Sequence, residues 1–331
     1  MSEPRRQRPE EKKLEALSTL EPTADRSAQN ALIGKCLDDR HFRVVARAAT
    51  LAGERSLRER VPDLLRAYAR FLGDPVKRDP HCIAKQAIAR ALVSLECQDV
   101  DFFLEGIRYR QLEPVWGGSA DAAIDVRCSC AMGLVSTGYS RAVQELTSLL
   151  HDPEWGARAG AARAISCGNI REAEALLRFK VLVGDSEPEV IGECFRGLLS
   201  VAQEECLPFV AAYLSDTNDG VRDLAALALG ESRHPRALEY LQEAWDVTYD
   251  MHNFRVVLIR AAALNRTEAA FDWLVSIIEQ GARAHADAAV EALSVYERNT
   301  KLGERVQAAL AKRDHTGDKP PLDPSRGSTE S

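Results

Sequence analysis

Apolar residues recur along this chain at a helical period, and one short apolar pattern returns at near-regular intervals. With Arg222 as offset zero, Asp216 stands at minus six, Val221 at minus one, Ala225 and Ala226 at plus three and four, Leu229 at plus seven and Gly230 at plus eight. Arg158 repeats the frame with Asp152, Ala161, Ala162 and Ile165, and Arg127 repeats it with Asp121, Val126, Cys130, Ala131 and Leu134. Lys85 does so with Asp79, Ile88, Ala89 and Leu92, Ile191 with Asp185, Val190, Cys194 and Leu198, and Val45 with Asp39, Ala48, Ala49 and Gly53. Weaker copies centre on Arg255 and His285; around Arg255 the alanines come three residues late, which leaves the register there open. Successive zero positions are 40, 42, 31, 33, 31, 33 and 30 residues apart, the mark of stacked helical units.

Offsets zero, three, four and seven share one stripe at about 100° per residue, so each copy predicts a helix that packs along that stripe. Alanine there lets neighbouring backbones approach closely. The Asp at minus six falls in the turn before the helix, where a carboxylate caps free N–H groups for about 1 kcal/mol. Between one plus-eight position and the next Asp runs a second amphipathic segment, as in AVQELTSLLHD, REAEALLRFKVLVGD and RALEYLQEAWD. Each unit reads helix, turn, Asp, helix.

These Asp, Val-Arg, Ala-Ala and Leu-Gly positions, clearest from Asp216 to Gly230, resemble the HEAT repeat (armadillo-like) superfamily, in particular the short phycobilin-lyase-like HEAT repeats of bacteria. The resemblance spans about residues 30 to 300. It implies an all-α fold, an α-α superhelix (HEAT-like solenoid) of about eight helical-hairpin repeats, placed over residues 28–312. Residues 1–27, of mixed charge, and 313–331, rich in Pro, Gly and Ser, are expected to be disordered tails, the first with at most a short helix around Leu14 to Leu20. Ile191 and His285 depart from the pattern by replacing its basic residue.

Composition narrows the function. A net charge of -7 disfavours a nucleic-acid binder, whose phosphate contacts require a basic surface. No apolar run reaches the roughly 20 residues that span a bilayer, and no apolar segment of signal-peptide type follows the charged N-terminus. The eight cysteines are scattered among apolar helical positions without a CxxC or a His pair at metal-ligand spacing, as expected of reduced residues in a cytoplasmic protein. No phosphate loop, nucleophile elbow or HExxH motif is present. His81, His151 and His252 precede second helices of different units, so no shared metal is expected, and no cofactor.

Three groups of residues remain as candidates. The bases Lys85, Arg127, Arg158 and Arg222, each six residues after Asp79, Asp121, Asp152 or Asp216, are expected to form a structural ladder of inter-repeat pairs, partly exposed and worth about 0 to 1 kcal/mol each. Offset five, about 140° from the packing stripe, carries Arg90, Arg163, Arg196 and Arg260, and offset nine carries Ser136 and Ser200. In HEAT-like arrays the second helix of each unit lines the concave face, so by that resemblance these residues would share a groove able to bind an acidic or phosphorylated segment of a protein partner. The insertion YRQLEPVWGGSAD, broken by Pro114 and Gly117-Gly118, reads either as a surface loop whose Trp116 packs on the array or as a binding loop that projects from one edge. The expected function is a non-enzymatic scaffold or adaptor. The alternative implied by the resemblance is a bilin-lyase-like chromophore-binding enzyme, for which Arg108, Tyr109, Arg110 and Trp116 form the one cluster to hold a tetrapyrrole. Nothing in the pattern fixes the oligomeric state.

Overall fold

The computed structural model describes residues 8–20, 25–249, 251–296 and 298–316. Among them the chain forms nineteen α-helices and one two-stranded hairpin. Contacts gather into two compact units, Met1–Lys180 and Val181–Ser331, where the repeat pattern suggested one array over 28–312. The first unit holds α1 (Pro9–Ser18), α2 (Arg26–Leu37), α3 (Phe42–Glu54), α4 (Val61–Leu72), the short α5 (Pro75–Arg78), α6 (Ile83–Ser94) and α7 (Val100–Arg108). After the hairpin β1 (Leu112–Val115) and β2 (Gly118–Asp121) come α8 (Ile124–Ser136), α9 (Ala142–Leu149) and α10 (Trp155–Cys167). Helix α11 (Ala173–Val183) runs to the second unit, which holds α12 (Pro188–Val201), α13 (Gln203–Ala211), α14 (Asp219–Glu231), α15 (Pro235–Val247), α16 (His252–Asn265), α17 (Glu268–Gln280), α18 (Arg283–Ser294) and α19 (Thr300–Thr316).

All eight zero positions lie inside helices: Val45 in α3, Lys85 in α6, Arg127 in α8, Arg158 in α10, Ile191 in α12, Arg222 in α14, Arg255 in α16 and His285 in α18. These second helices stack in sequence order, α3 on α6 on α8 on α10 in one unit and α12 on α14 on α16 on α18 in the other. Second helices also pack against the first helix of their hairpin, as α6 does on α4, α8 on α7, α14 on α13 and α16 on α15. The architecture is therefore all-α and built of helical hairpins. The packing stripe is buried as its offsets require: Ala48 and Ala49, Ile88 and Ala89, Ala161 and Ala162, and Ala225 and Ala226 are all at 0% exposure. Around Arg255 the same offsets fall on buried Leu258, Ile259 and Ala262, which settles that register. In α18 the buried positions are His285, Ala286, Ala289 and Leu293, so the stripe is rotated in the last repeat.

The minus-six Asp earns its recurrence in the turn. Asp39, Asp121, Asp152, Asp185 and Asp216 each accept the N–H of the residue two further on, at 2.7 to 3.0 Å, an Asx turn that launches the second helix. Asp79 is different. His81 and Cys82 take left-handed backbones, φ 59° and 53°, and its carboxylate instead reaches the N–H groups of Ala84 and Lys85 at 2.8 and 3.0 Å.

The N-terminal expectation needs correction. Helix α1 lies within the segment read as a disordered tail and packs on α3, with Leu17 wholly buried and Lys13 ion-paired to Asp39. Its Leu14 and Leu17 were too few apolar positions to signal a packed helix from composition alone. At the other end α19 continues past residue 312 to Thr316 and packs on α17; the rest of the expected C-terminal tail lies outside the described residues. No helix among the described residues is long and apolar enough to cross a membrane.

Candidate functional site

The Asp-base positions form a buried polar spine in the first unit. Lys85 Nζ lies 2.9 Å from Asp79, with both side chains at 0% exposure, and also reaches the Phe71 carbonyl at the end of α4 at 3.5 Å. Arg127 donates to Asp121 at 2.6 Å, to Asp152 of the next repeat at 3.3 Å and to the Tyr109 carbonyl that ends α7 at 3.0 Å. Arg110 closes the cluster against Asp152 at 2.8 Å and Asp121 at 3.5 Å. Burial alone would lift the Asp121 carboxyl, but the N–H groups of Ala123 and Gln111 and the Arg127 guanidinium outweigh it and hold it below the usual carboxylate range. Arg158 donates to the main-chain carbonyls of Asp152 and Pro153, both at 2.9 Å. Arg222 donates to the carbonyl of Asp216 at 3.3 Å, pairs with Asp219 at 2.9 Å and stacks over Phe254.

Two expectations change here. Asp79–Lys85 is a pair within one repeat, whereas Arg127 also reaches Asp152 of the next repeat. The Asp79–Lys85 and Asp121–Arg127 pairs are fully buried rather than partly exposed. The cause is common to both: the base at offset zero points back over its own turn toward the C-terminal carbonyls of the preceding helix, where a cation is favoured. Arg255 does the same in the second unit, reaching the Trp245 carbonyl at 2.8 Å.

The insertion is an ordered hairpin. Its strands pair antiparallel from Leu112↔Asp121 to Val115↔Gly118, closed by Trp116 and by Gly117, whose φ of 89° suits a residue without a Cβ. Its inner side is polar and joins the spine. Gln111 donates to the Asp79 carbonyl at 2.9 Å and to Glu113 at 2.7 Å, and Glu113 accepts the N–H of His81 at 2.6 Å. Trp116 does not pack on the repeats: at the hairpin tip it is 104% exposed, next to exposed Val115 and Leu112. Of the residues nominated for a tetrapyrrole, the other three hold partners within the protein. Arg108 is paired with Glu145, Tyr109 donates its hydroxyl to Gln111 at 2.9 Å, and Arg110 holds Asp152.

The offset-five arginines are exposed or half-buried on the second helices. In the first unit Arg90 pairs with Asp125 of α8 at 3.3 Å, and Arg163 is exposed on α10. Ser136 is exposed but donates to the Gly133 carbonyl of its own helix at 2.8 Å. In the second unit Arg196 pairs with Glu193 at 2.8 Å and lines, with Ser200, Gln203 and Glu231, a depression of about 310 Å³. Arg260 stands 4.0 Å from Glu291. A larger groove of about 590 Å³ lies between α3 and α6. Arg90 lines it, together with Arg43 and Arg47, which the offset-five frame missed because they flank Val45 at minus two and plus two. An Arg pair at i and i+4 on the side away from the packing stripe was the signal that could have found them.

His252 and His285 also meet, Nδ1 to Nε2 at 2.9 Å, beside Trp245 and Arg255. They lie 33 residues apart, one repeat, so stacking brings the start of α16 onto α18. Among the described residues no three His, Cys, Asp or Glu side chains gather as metal ligands. Burial, then His252 and Arg255, hold His285 below its ordinary value, so the fold favours the neutral imidazole. The unfolded chain then binds the extra proton first, and this contribution is complete above about pH 6.5 and lost as pH falls through the folded value. Unfolding of the second unit is expected to show this acid-side loss, and His285→Gln is expected to flatten it; a wild-type stability that stays level from pH 7 to pH 5 would contradict the assignment. Burial raises the thiols of Cys82 to about 12 and of Cys128 to about 11, so neither supplies a thiolate nucleophile at neutral pH.

The fold and side-chain arrangement define a helical-hairpin repeat protein, and residues 177–251 match the family model for HEAT repeats. That segment contains the repeats centred on Ile191 and Arg222. Among solved structures the chain is similar to the complex of CpcE and CpcF of phycocyanin lyase from Nostoc sp. PCC7120, at 16% identity over 86% of this chain and 94% of that one, with a TM-score of 0.37. It is also similar to human deoxyhypusine hydroxylase in complex with glycerol, at 19% identity over 76% of this chain and 89% of that one, with a TM-score of 0.31. No curated protein sequence matches the chain.

Proposed function

We propose that the protein is a non-enzymatic scaffold or adaptor that holds an acidic or phosphorylated segment of a partner protein on the outward side of its second helices. The observation that carries this reading is the set of exposed or half-buried guanidinium groups on the second helices, Arg43 and Arg47 on α3, Arg90 on α6 and Arg163 on α10 in one unit and Arg196 on α12 and Arg260 on α16 in the other, in a chain whose net charge is -7. Guanidinium forks bind carboxylate and phosphate in two-pronged fashion. The carboxylates now beside Arg90 and Arg260 form exposed pairs worth about 0 to 1 kcal/mol, weak enough for a better-placed anion to displace.

The test is affinity capture from native lysate with the wild-type chain, the Arg163→Glu/Arg196→Glu variant and Trp116→Ala, with helical circular dichroism as the folding control. Proteins held by the wild type, released by phosphatase or high salt and lost by the arginine variant are the expected result. Equal capture by wild type and arginine variant, with loss by Trp116→Ala, would move the binding site to the hairpin tip.

A further inference from the structure

The α3–α6 groove differs from the rest of the second-helix surface in the state of its charges. Among the described residues Arg43 and Arg47 have no carboxylate partner; Arg43 only rests against the ring of Phe42, 5.7 Å from its centroid. Arg90 adds a third guanidinium from α6, shared with Asp125. At the other end of the groove Glu54, exposed and likewise without a cationic partner among the described residues, stands near Thr50 and Ser94. The floor is made of small residues, Ala46, Ala87, Ala91 and Gly53, so a peptide backbone can approach closely. The groove therefore has a basic end and an acidic end on one helix, with the start of α3 adding its positive pole to the basic end.

We infer that this groove takes an extended, phosphorylated segment of a protein partner in a fixed polarity, with the phosphate on Arg43 and Arg47 and a lysine or arginine of the same segment on Glu54. The inference rests on the proposed reading of the second-helix surface as a binding face. Arg47 and Glu54 are seven residues apart on α3, about 10 Å along the helix. An extended chain covers that distance in about three residues. The partner chemistry is a phosphoserine or phosphothreonine with a cation three positions away.

The experiment uses the full chain and fluorescein-labelled octapeptide libraries with a fixed central phosphoserine, a fixed central glutamate or a fixed central serine, and lysine scanned through the remaining positions. Fluorescence anisotropy should rank phosphoserine above glutamate above serine, with the best binding when lysine lies three residues from the phosphate on one side. Arg43→Glu/Arg47→Glu should weaken phosphopeptide binding by at least about tenfold, and Glu54→Lys should abolish the lysine preference while leaving phosphate dependence intact. Both variants alter solvent-facing side chains, and circular dichroism checks that they fold. Unchanged binding by Arg43→Glu/Arg47→Glu, with loss by Arg163→Glu/Arg196→Glu, would overturn this groove and keep the broader reading. Failure of every phosphorylated and acidic library to bind would overturn both. A single-stranded oligonucleotide of matching charge that competes as well as the best peptide would also overturn the assignment of a protein segment.

Discussion

Lys85→Met is expected to destabilise the first unit by about 3–5 kcal/mol, because it removes the ammonium from a carboxylate that has no access to water. Asp79 and Lys85 are both at 0% exposure. The lysine also reaches the Phe71 carbonyl and faces the rings of Phe71 and Tyr109, so its loss strips partners from three neighbours at once. A large effect from an isosteric, apolar replacement separates this pair from an exposed one, whose loss costs at most about 1 kcal/mol. The double variant Asp79→Asn/Lys85→Met should cost less than Lys85→Met alone, since Asn keeps an acceptor for one of the two N–H groups, of Ala84 or Lys85, and leaves no buried charge. Amide hydrogen exchange of α6 measures the first unit apart from the second. A loss under 1 kcal/mol for Lys85→Met would mean that water reaches the pair.

Gly230→Ala should destabilise the second unit by about 2 kcal/mol, whereas Gly53→Ala, at the same offset of another repeat, should be close to neutral. A Cβ at Gly230 would sit 2.1 Å from the Ala261 carbonyl oxygen and 2.7 Å from its carbon. Those are backbone atoms in the middle of α16, so the clash is relieved only by separating α14 from α16, an overpacking cost of about 1–3 kcal/mol or more. At Gly53 the nearest atom to a Cβ is Ala91 Cα at 3.3 Å, a contact that small shifts relieve. In both helices Ala gains about 1 kcal/mol of intrinsic propensity over Gly; it offsets the strain at Gly53 and falls short at Gly230. Separate unfolding transitions of the two units in differential scanning calorimetry would register the contrast, and equal effects at the two glycines would refute it.

Much of the fold was legible because stacking requires the same small residues at the same offsets in every repeat. Ala161-Ala162 and Ala225-Ala226 announce a helix face on which a neighbouring backbone must lie, and the Asp at minus six announces the turn that starts it. The hairpin was harder to read. Gln111, Glu113 and Asp121 look like surface polar residues, and their burial depends on partners in Asp79, His81 and Arg127, which sequence spacing does not place beside them. The arms of equal length on either side of Trp116-Gly117 were its local signal. The extent and packing of α1, where the sequence allowed at most a short helix around Leu14 to Leu20, were illegible for a related reason: one buried leucine and one ion pair to Asp39 suffice once α3 supplies the surface.

The candidate site divides in the same way. Arg90, Arg163, Arg196 and Arg260 could be named from their angle to the packing stripe, since a helix fixes which side chains face away from its neighbours. Which of them meets a carboxylate, and that Arg43 and Arg47 meet none among the described residues, depended on the residues that adjacent repeats bring alongside. By itself the amino-acid order determined the repeat, its helical period, its turns and the outward side of each second helix, because these follow from local geometry and burial of small apolar residues. Only the tertiary structure decided that Asp79 and Lys85 are buried, that Trp116 stands free, that His252 meets His285, and that one groove has a basic and an acidic end. Each of these is a contact or an absence of contact between residues on different elements, and its free energy depends on distance and on exclusion of water, neither of which is set until the helices have stacked.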